Sequence, residues 1–360
     1  MLMPPREPLL FKPIVHDKPW GGDGLWRHLR KGLAEHERAG ESWELSDRSE
    51  AATVVTNGRF AGVSLRELMQ VCGSEILGDI PLSPFDSETA RRFPLLVKFI
   101  YAREPLSVQV HPGENSPLGE AKTECWYILH APPGAELIVG VKQDMPRQKM
   151  AAKLASADCQ EVLRREPVAS GDLLFIPAGT VHAITQGLLL YELQQNSDTT
   201  FRLYDWGRKD AQGKPRDLHL AQATEVMDLR VHDKHKIIPL PLQSEGHSED
   251  MRVACPYFFL SHWREFAKPA ALRQPDRFRI VSVIRGAFGV EWPGGILEAP
   301  LGSTLLLPAG LPEALLTPLT AGAEILVSGV PDLEKEIRAP LRRAGYGDEA
   351  IAGLAGLDGF

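Results

Sequence analysis

The sequence predicts a mainly β fold, built as two jelly-roll barrels with a few added helices. Two observations carry that prediction. Short strand-like runs dominate the 360 residues, and a fourteen-residue segment recurs in the second half. The runs are ESWELSD (41–47), ATVVTN (52–57), LLVKFIYA (95–102), LSVQVHP (106–112), ECWYILHA (124–131), AELIVGV (135–141), DLLFIPA (172–178), LLLYELQQ (188–195) and TFRLYDW (200–206). Each is rich in β-branched and aromatic residues and bounded by turn formers, the pattern of a sandwich or barrel.

Helices are expected in three places. SLRELMQVCGSEIL (64–77) opens with Ser64 followed three residues on by Glu67, a capping box. PRQKMAAKLASADCQEVLRRE (146–166) has Pro146 at its start. DLHLAQATEVMDL (217–229) is expected to be capped by Asp217. The pair Arg164-Arg165 reads as a solvated helix end. The tail 341–360 reads as a short amphipathic helix followed by a flexible end.

The recurring segment is GDLLFIPAGTVHAI (171–184) against GSTLLLPAGLPEAL (302–315), aligned without gaps at an offset of 131 residues. A weaker echo links WYILHAPPGAEL to VSVIRGAFGVEW upstream. Self-similarity of this kind marks a duplicated structural unit. The expected division is 1–235, a barrel with helical insertions, and 236–360, a second barrel. The connection is expected in the polar, Pro-rich stretch 231–250, with His232, His235 and His247 on a solvated face.

Composition sets the class. A net charge of -7 argues against bulk attraction to nucleic acid. No apolar run is long enough to span a bilayer, and the N-terminus lacks a secretory pattern. Cys72, Cys125, Cys159 and Cys255 have no paired spacing and are expected as free thiols in a reducing cytoplasm. Oligomeric state is not legible.

Four residues carry metal-binding chemistry: Gln109, His111, Glu124 and His182. Side chains two apart on a strand share a face, so Gln109 and His111 point the same way. Glu124 opens the next strand after a loop with two Pro and two Gly. His182 follows a corner made by Gly171, Pro177 and Gly179, residue types that permit a tight reversal. Cys125 points away from Glu124. Such an N and O donor set suits one divalent ion. At the position of His182 the second copy has Glu313, so the second barrel is expected to have no metal site.

The spacing from Gly171 to His182 resembles the cupin superfamily. The combination of Gln-x-His, Lys-Thr-Glu and Pro-x-Gly-x-x-His resembles the type I phosphomannose isomerases in their short bacterial form. So do KPWGG, GESWELSD, FPLLVKFIYA and FRLYDWGRKDAQGKPRDLHL. The likeness runs from about residue 10 to about residue 235 and implies cupin-like barrels. It also implies a zinc-dependent isomerase with one Zn2+ per chain, interconverting mannose 6-phosphate and fructose 6-phosphate through an enediol. One carboxylate among the ligands leaves the ion electrophilic. In the family the Arg of FRLYDW, here Arg202, is an active-site residue.

Other polar groups share the metal-facing side by period two. Ser107 joins Gln109 and His111, and Lys122 joins Glu124. Lys98 is the only charge in an apolar run. With Arg202 these residues are expected to form a cationic pocket for a phosphorylated hexose. Lys122 and Glu44 are the alternative bases for proton transfer. Asp205 reads as a structural partner for a nearby Arg and Asp210 as a turn residue. Two other readings share the donors: an Fe(II)-dependent cupin oxygenase and a non-catalytic phosphosugar-binding protein.

Overall fold

A computed structural model describes residues 3–31, 38–81, 91–156, 158–209, 212–231, 235–273, 276–311 and 313–354. The fold is mainly β, in four large antiparallel sheets and a two-stranded ribbon. A six-stranded sheet runs in the order Leu173–Ile176, Glu124–His130, Leu189–Gln195, Leu95–Tyr101, Glu41–Leu45, Ile14–His16. A five-stranded sheet runs Leu163–Pro167, Glu136–Val141, His182–Ala183, Val108–Val110, Phe201–Tyr204. Their facing surfaces form one apolar cluster that includes Ile100, Trp126, Ile128 and Leu190 with Leu137 and Val139. The outer face of the five-stranded sheet is covered by helices Arg147–Leu154, Cys159–Val162 and Leu220–Val226, through Met150, Leu154, Val162 and Ala223.

The later strands form a four-stranded sheet, Ala270–Arg273, Glu313–Pro318, Ala287–Trp292, Gly295–Pro300, and most of an eight-stranded one. The eight-stranded order is Leu240–Ser244, His247–Ala254, Phe259–Arg264, Glu324–Gly329, Arg279–Arg285, Thr304–Leu307, Leu9–Lys12, Val54–Val55. The N-terminal strand therefore crosses to the other half of the molecule, pairing Leu9 with Leu306 and Leu10 with Leu305. Six- and eight-stranded sheets share one continuous core, in which Val97, Phe99 and Leu193 join Leu260, Ile280 and Leu306. This explains why LLVKFIY is buried at every position but the last. A strand covered on both faces has no polar side to alternate.

The sequence repeat is also a repeat of strand pairing. Leu173–Ile176 pairs with Glu124–Tyr127, and Thr304–Leu307 pairs with Arg279–Ser282. The first glycine of each copy, Gly171 and Gly302, sits at positive φ (93° and 82°), a turn geometry that a side chain would strain. Glu124 opposes Ile176, and Arg279 opposes Leu307, which lies 131 residues after Ile176. Glu192 opposes Trp126, whereas Val327 opposes Val281. At these registers the second copy has an arginine and apolar groups where the first has carboxylates and a tryptophan.

The capping box on helix Leu65–Leu77 is present, with Glu67 N–H donating to Ser64 Oγ at 3.2 Å and Ser64 N–H to Glu67 at 2.8 Å. All four cysteines are free and buried. Other expectations are corrected. Arg164 and Arg165 lie in the edge strand Leu163–Pro167, paired with Glu166 and Glu136, because the helix ends at Val162. Helix Leu220–Val226 has His219, not Asp217, at its N-cap, with no side-chain cap bond. Much of 231–250 is strand. Pro241 sits in the edge strand of its sheet, where a missing N–H costs no ladder bond. His235 is buried, and His247 packs 4.3 Å from the Trp263 ring centroid and 5.3 Å from Phe266, so neither is on a solvated face. His232 lies outside the described residues, as do residues 355–360 of the tail.

Candidate active site

Three adjacent strands of the five-stranded sheet place His182, Gln109 and Arg202 side by side, since His182 pairs with Gln109 and Gln109 with Arg202. His111 follows the end of the Gln109 strand. Glu124 arrives from the facing six-stranded sheet. His111, Glu124 and His182 are all buried, and their donor atoms lie within 4.8 Å of one another. Each imidazole donates Nδ1–H to a backbone carbonyl, His111 to Thr199 and His182 to Thr180, both at 2.8 Å. That fixes the tautomer and turns both Nε2 lone pairs toward Glu124, at 3.7 Å from Oε2 and 3.4 Å from Oε1.

Both imidazoles are neutral at ordinary pH. Burial lowers His111 well below its usual value, aided by the Lys122 charge, and burial lowers His182 to about 3. Burial raises Glu124 to about 7 against the opposing pull of Lys122. Glu124 Oε1 is buried without a hydrogen-bond donor. A donorless carboxylate oxygen 3.4 Å from the His182 lone pair, with a second imidazole facing the same carboxylate, is a place for a cation, and these donors fit a divalent metal. Gln109 Nε2 stands 3.3 Å from His182 Nε2, with its Oε1 3.3 Å from Ser107 Oγ. A half-turn about its terminal torsion exchanges the two amide atoms and presents oxygen to the site.

Lys122 joins this group, 2.7 Å from Glu124 Oε2 and 3.1 Å from His111 Nε2. Lys98 lies one layer deeper, 3.2 Å from Glu192 Oε1 and 5.0 Å above the Trp43 ring. Burial opposes its charge, but Glu192 and Glu41 raise its pKa nonetheless. Trp126 Nε1–H donates to Glu192 and Trp43 Nε1–H to Glu41, each at 2.9 Å. Sequence reasoning overlooked both acids. Glu192 is the only charge in LLLYELQQ, the same signal that marked Lys98.

Arg202 is half-buried. Its Nη1 donates to the Asp217 carbonyl at 2.7 Å, and its Nε is buried without an acceptor. Burial and nearby Arg216 lower its pKa. Asp205 receives two bonds from Arg216, at 2.7 and 2.5 Å, and is a structural partner as expected. Asp210 lies outside the described residues.

Glu44 does not join the group. Its strand pairs Trp43 with Lys98 and Ser42 with Phe99, so Glu41 and Trp43 face the site while Ser42 and Glu44 face the opposite side. There Glu44 pairs with Lys31 at 2.5 Å and accepts from Ser42 Oγ at 2.5 Å.

Fold and site together define a β-sheet protein able to hold one divalent metal among imidazole and carboxylate donors beside a cluster of cations. The family profile of phosphomannose isomerase type I, catalytic domain, matches residues 9–130. The mannose-6-phosphate isomerase ManA of Bacillus subtilis is 36% identical over 316 residues, covering 85% of this chain and 95% of that one. This chain belongs to the type I phosphomannose isomerase family. The crystal structure of mannose 6-phosphate isomerase from Bacillus subtilis superposes with a TM-score of 0.79 at 31% identity, covering 90% of this chain and 99% of that one. A zinc-bound mannose 6-phosphate isomerase structure shares the fold at a TM-score of 0.69 and 14% identity, over 90% of this chain and 99% of that one. Among the described residues, no helix is long and apolar enough to cross a membrane.

Proposed function

We propose that this chain is a zinc-dependent aldose–ketose isomerase that interconverts mannose 6-phosphate and fructose 6-phosphate. The observation that carries the reading is the convergence of two neutral imidazole Nε2 atoms on the Glu124 carboxylate, whose Oε1 has no donor, with Lys122 on its Oε2 and Arg202 alongside. His111, His182 and Glu124 would hold the ion, with Gln109 as an amide donor. When bound, it would supply Lewis acidity where negative charge develops on the sugar.

The side chains do the remaining work. Arg202 offers an unpaired Nε–H to an anionic oxygen, and Ser107 adds a hydroxyl for the phosphorylated hexose, whereas the charge of Lys98 is taken up by Glu192 and Glu41. Lys122 is our candidate for proton transfer between C1 and C2, since it is the amine nearest the donor cluster. Glu44 has no place in this scheme. We further propose that residues 1–235 carry catalysis. Residues 236–360, completed by strands Leu9–Lys12 and Val54–Val55, would then form a second cupin-like barrel without a metal site, a reading supported by the repeated strand pairing and by Arg279 at the register of Glu124. Four free buried thiols support a cytoplasmic setting.

The test is metal analysis of purified protein with a coupled isomerase assay on mannose 6-phosphate. Expected is one zinc per chain and activity that chelation removes and zinc restores. Undiminished turnover by metal-free protein would refute the proposal. No observation favours an oxygenase or a non-catalytic binder.

A further inference from the structure

The loop between His111 and Glu124 delivers Lys122 to the site, yet it has no regular structure of its own. One residue in it, Glu120, ties it down twice. Its carboxylate bridges two arginines, accepting from Arg48 Nη1 and Arg92 Nη1, each at 2.7 Å. Burial opposes its charge, but the two guanidinium groups lower its pKa all the same. Its main-chain carbonyl accepts from the fully buried Ser197 Oγ at 2.8 Å. Ser197 Oγ in turn accepts from Thr199 N–H at 3.2 Å. The Thr199 carbonyl is the acceptor that orients His111 Nδ1. The neighbouring Gly119 packs so closely that a Cβ there would lie 2.5 Å from Thr199 Cγ2.

We infer that Glu120 is a positioning residue, a two-arginine clasp that fixes the His111 imidazole through Ser197 and Thr199 and holds Lys122 beside Glu124. Arg48 also donates to the Asn196 carbonyl at 3.3 Å, so the clasp gathers the loop and the Ser197 segment onto one arginine. The inference rests on the metal reading above. Groups that orient a ligating imidazole typically govern metal retention by about 10- to 100-fold, and Glu120 acts two bonds further out.

The experiment is zinc release from the loaded protein to an excess of chromophoric chelator, compared with the thermal midpoint of each variant. Glu120→Ala is expected to release zinc about tenfold faster, with Glu120→Gln intermediate, because the neutral amide keeps one bond but not the charge. Glu50→Ala is the control. Glu50 also binds Arg48 but is exposed, and its hydrogen-bond partners are Arg48 and Ser49 rather than the loop, so release should match wild type. Equal release by Glu120→Ala and wild type would overturn the inference, as would equal acceleration by Glu120→Ala and Glu50→Ala. Acceleration that only tracks a fall in the thermal midpoint would do the same. A wild-type protein that takes up no zinc overturns the metal reading itself.

Discussion

Replacing Lys31 with methionine should make stability depend on pH in a way that reveals what Glu44 does. Lys31 Nζ lies 2.5 Å from Glu44 Oε2, with both side chains almost fully buried. It also donates to the carbonyl of Gly302 in the turn before Thr304–Leu307 and lies 4.7 Å above the Phe99 ring. The pair thus sits in the core that joins the two halves. Methionine matches the volume but leaves a buried carboxylate without its cation. Breaking a buried pair this way costs about 3–5 kcal/mol when the remaining group stays charged. At roughly 2 cal/mol/K of unfolding entropy per residue, that lowers the thermal midpoint by about 5 °C.

Burial already raises the Glu44 pKa, with Lys31 opposing the rise, so the variant's folded-state value stands higher still. Between the unfolded and folded values the folded state binds more protons. The variant therefore loses stability as pH rises through that window, by about 1.4 kcal/mol per pH unit, and recovers as pH falls. Urea unfolding of wild type and variant at about pH 8 and about pH 5.5 measures the difference. An equal loss at both pH values would refute the reasoning. Because Glu44 faces away from the site, Glu44→Gln should leave KM for mannose 6-phosphate within about twofold, and a rise beyond about tenfold would place Glu44 back in the pocket.

Three further outcomes follow from the geometry. His182→Ala should abolish zinc retention, measured by metal analysis, together with isomerase activity, because it removes one of the two convergent imidazole donors. Arg202→Ala should keep the metal but lose about 100-fold in kcat/KM on the phosphosugar, the usual cost of deleting one charged donor at a reacting centre. Gly24→Ala should destabilise the fold by about 1–3 kcal/mol in urea titration. A Cβ there would lie 2.3 Å from the Tyr101 ring, so the ring must move.

The mainly β class, the capping box at Ser64, the duplication and the candidate ligands were legible from sequence because each is a local pattern. Period two places Gln109 beside Ser107, and a Gly-Pro-Gly corner marks His182 however the chain packs. Glu44 shows where that logic stops. Alternation groups it with Ser42 and Ser46, but which face of that strand meets the site depends on its pairing with Leu95–Tyr101. Pairing is a long-range property. Arg164 and Arg165 were misread for a similar reason, since helix and edge strand tolerate them equally until Glu136 supplies a partner across the sheet.

By itself, the sequence picked out the atoms that can meet a divalent ion, and showed Glu313 in the second copy of the repeat where the first has His182. Tertiary structure decided how they meet. It brought Glu124 across from a facing sheet, turned two imidazoles with Thr180 and Thr199 carbonyls, and placed Glu192 and Glu41 around Lys98. It also sent the first strand, Leu9–Lys12, to the far half of the chain. Local periodicity is written in neighbouring residues. Which strand lies beside which is set by burying every apolar face at once.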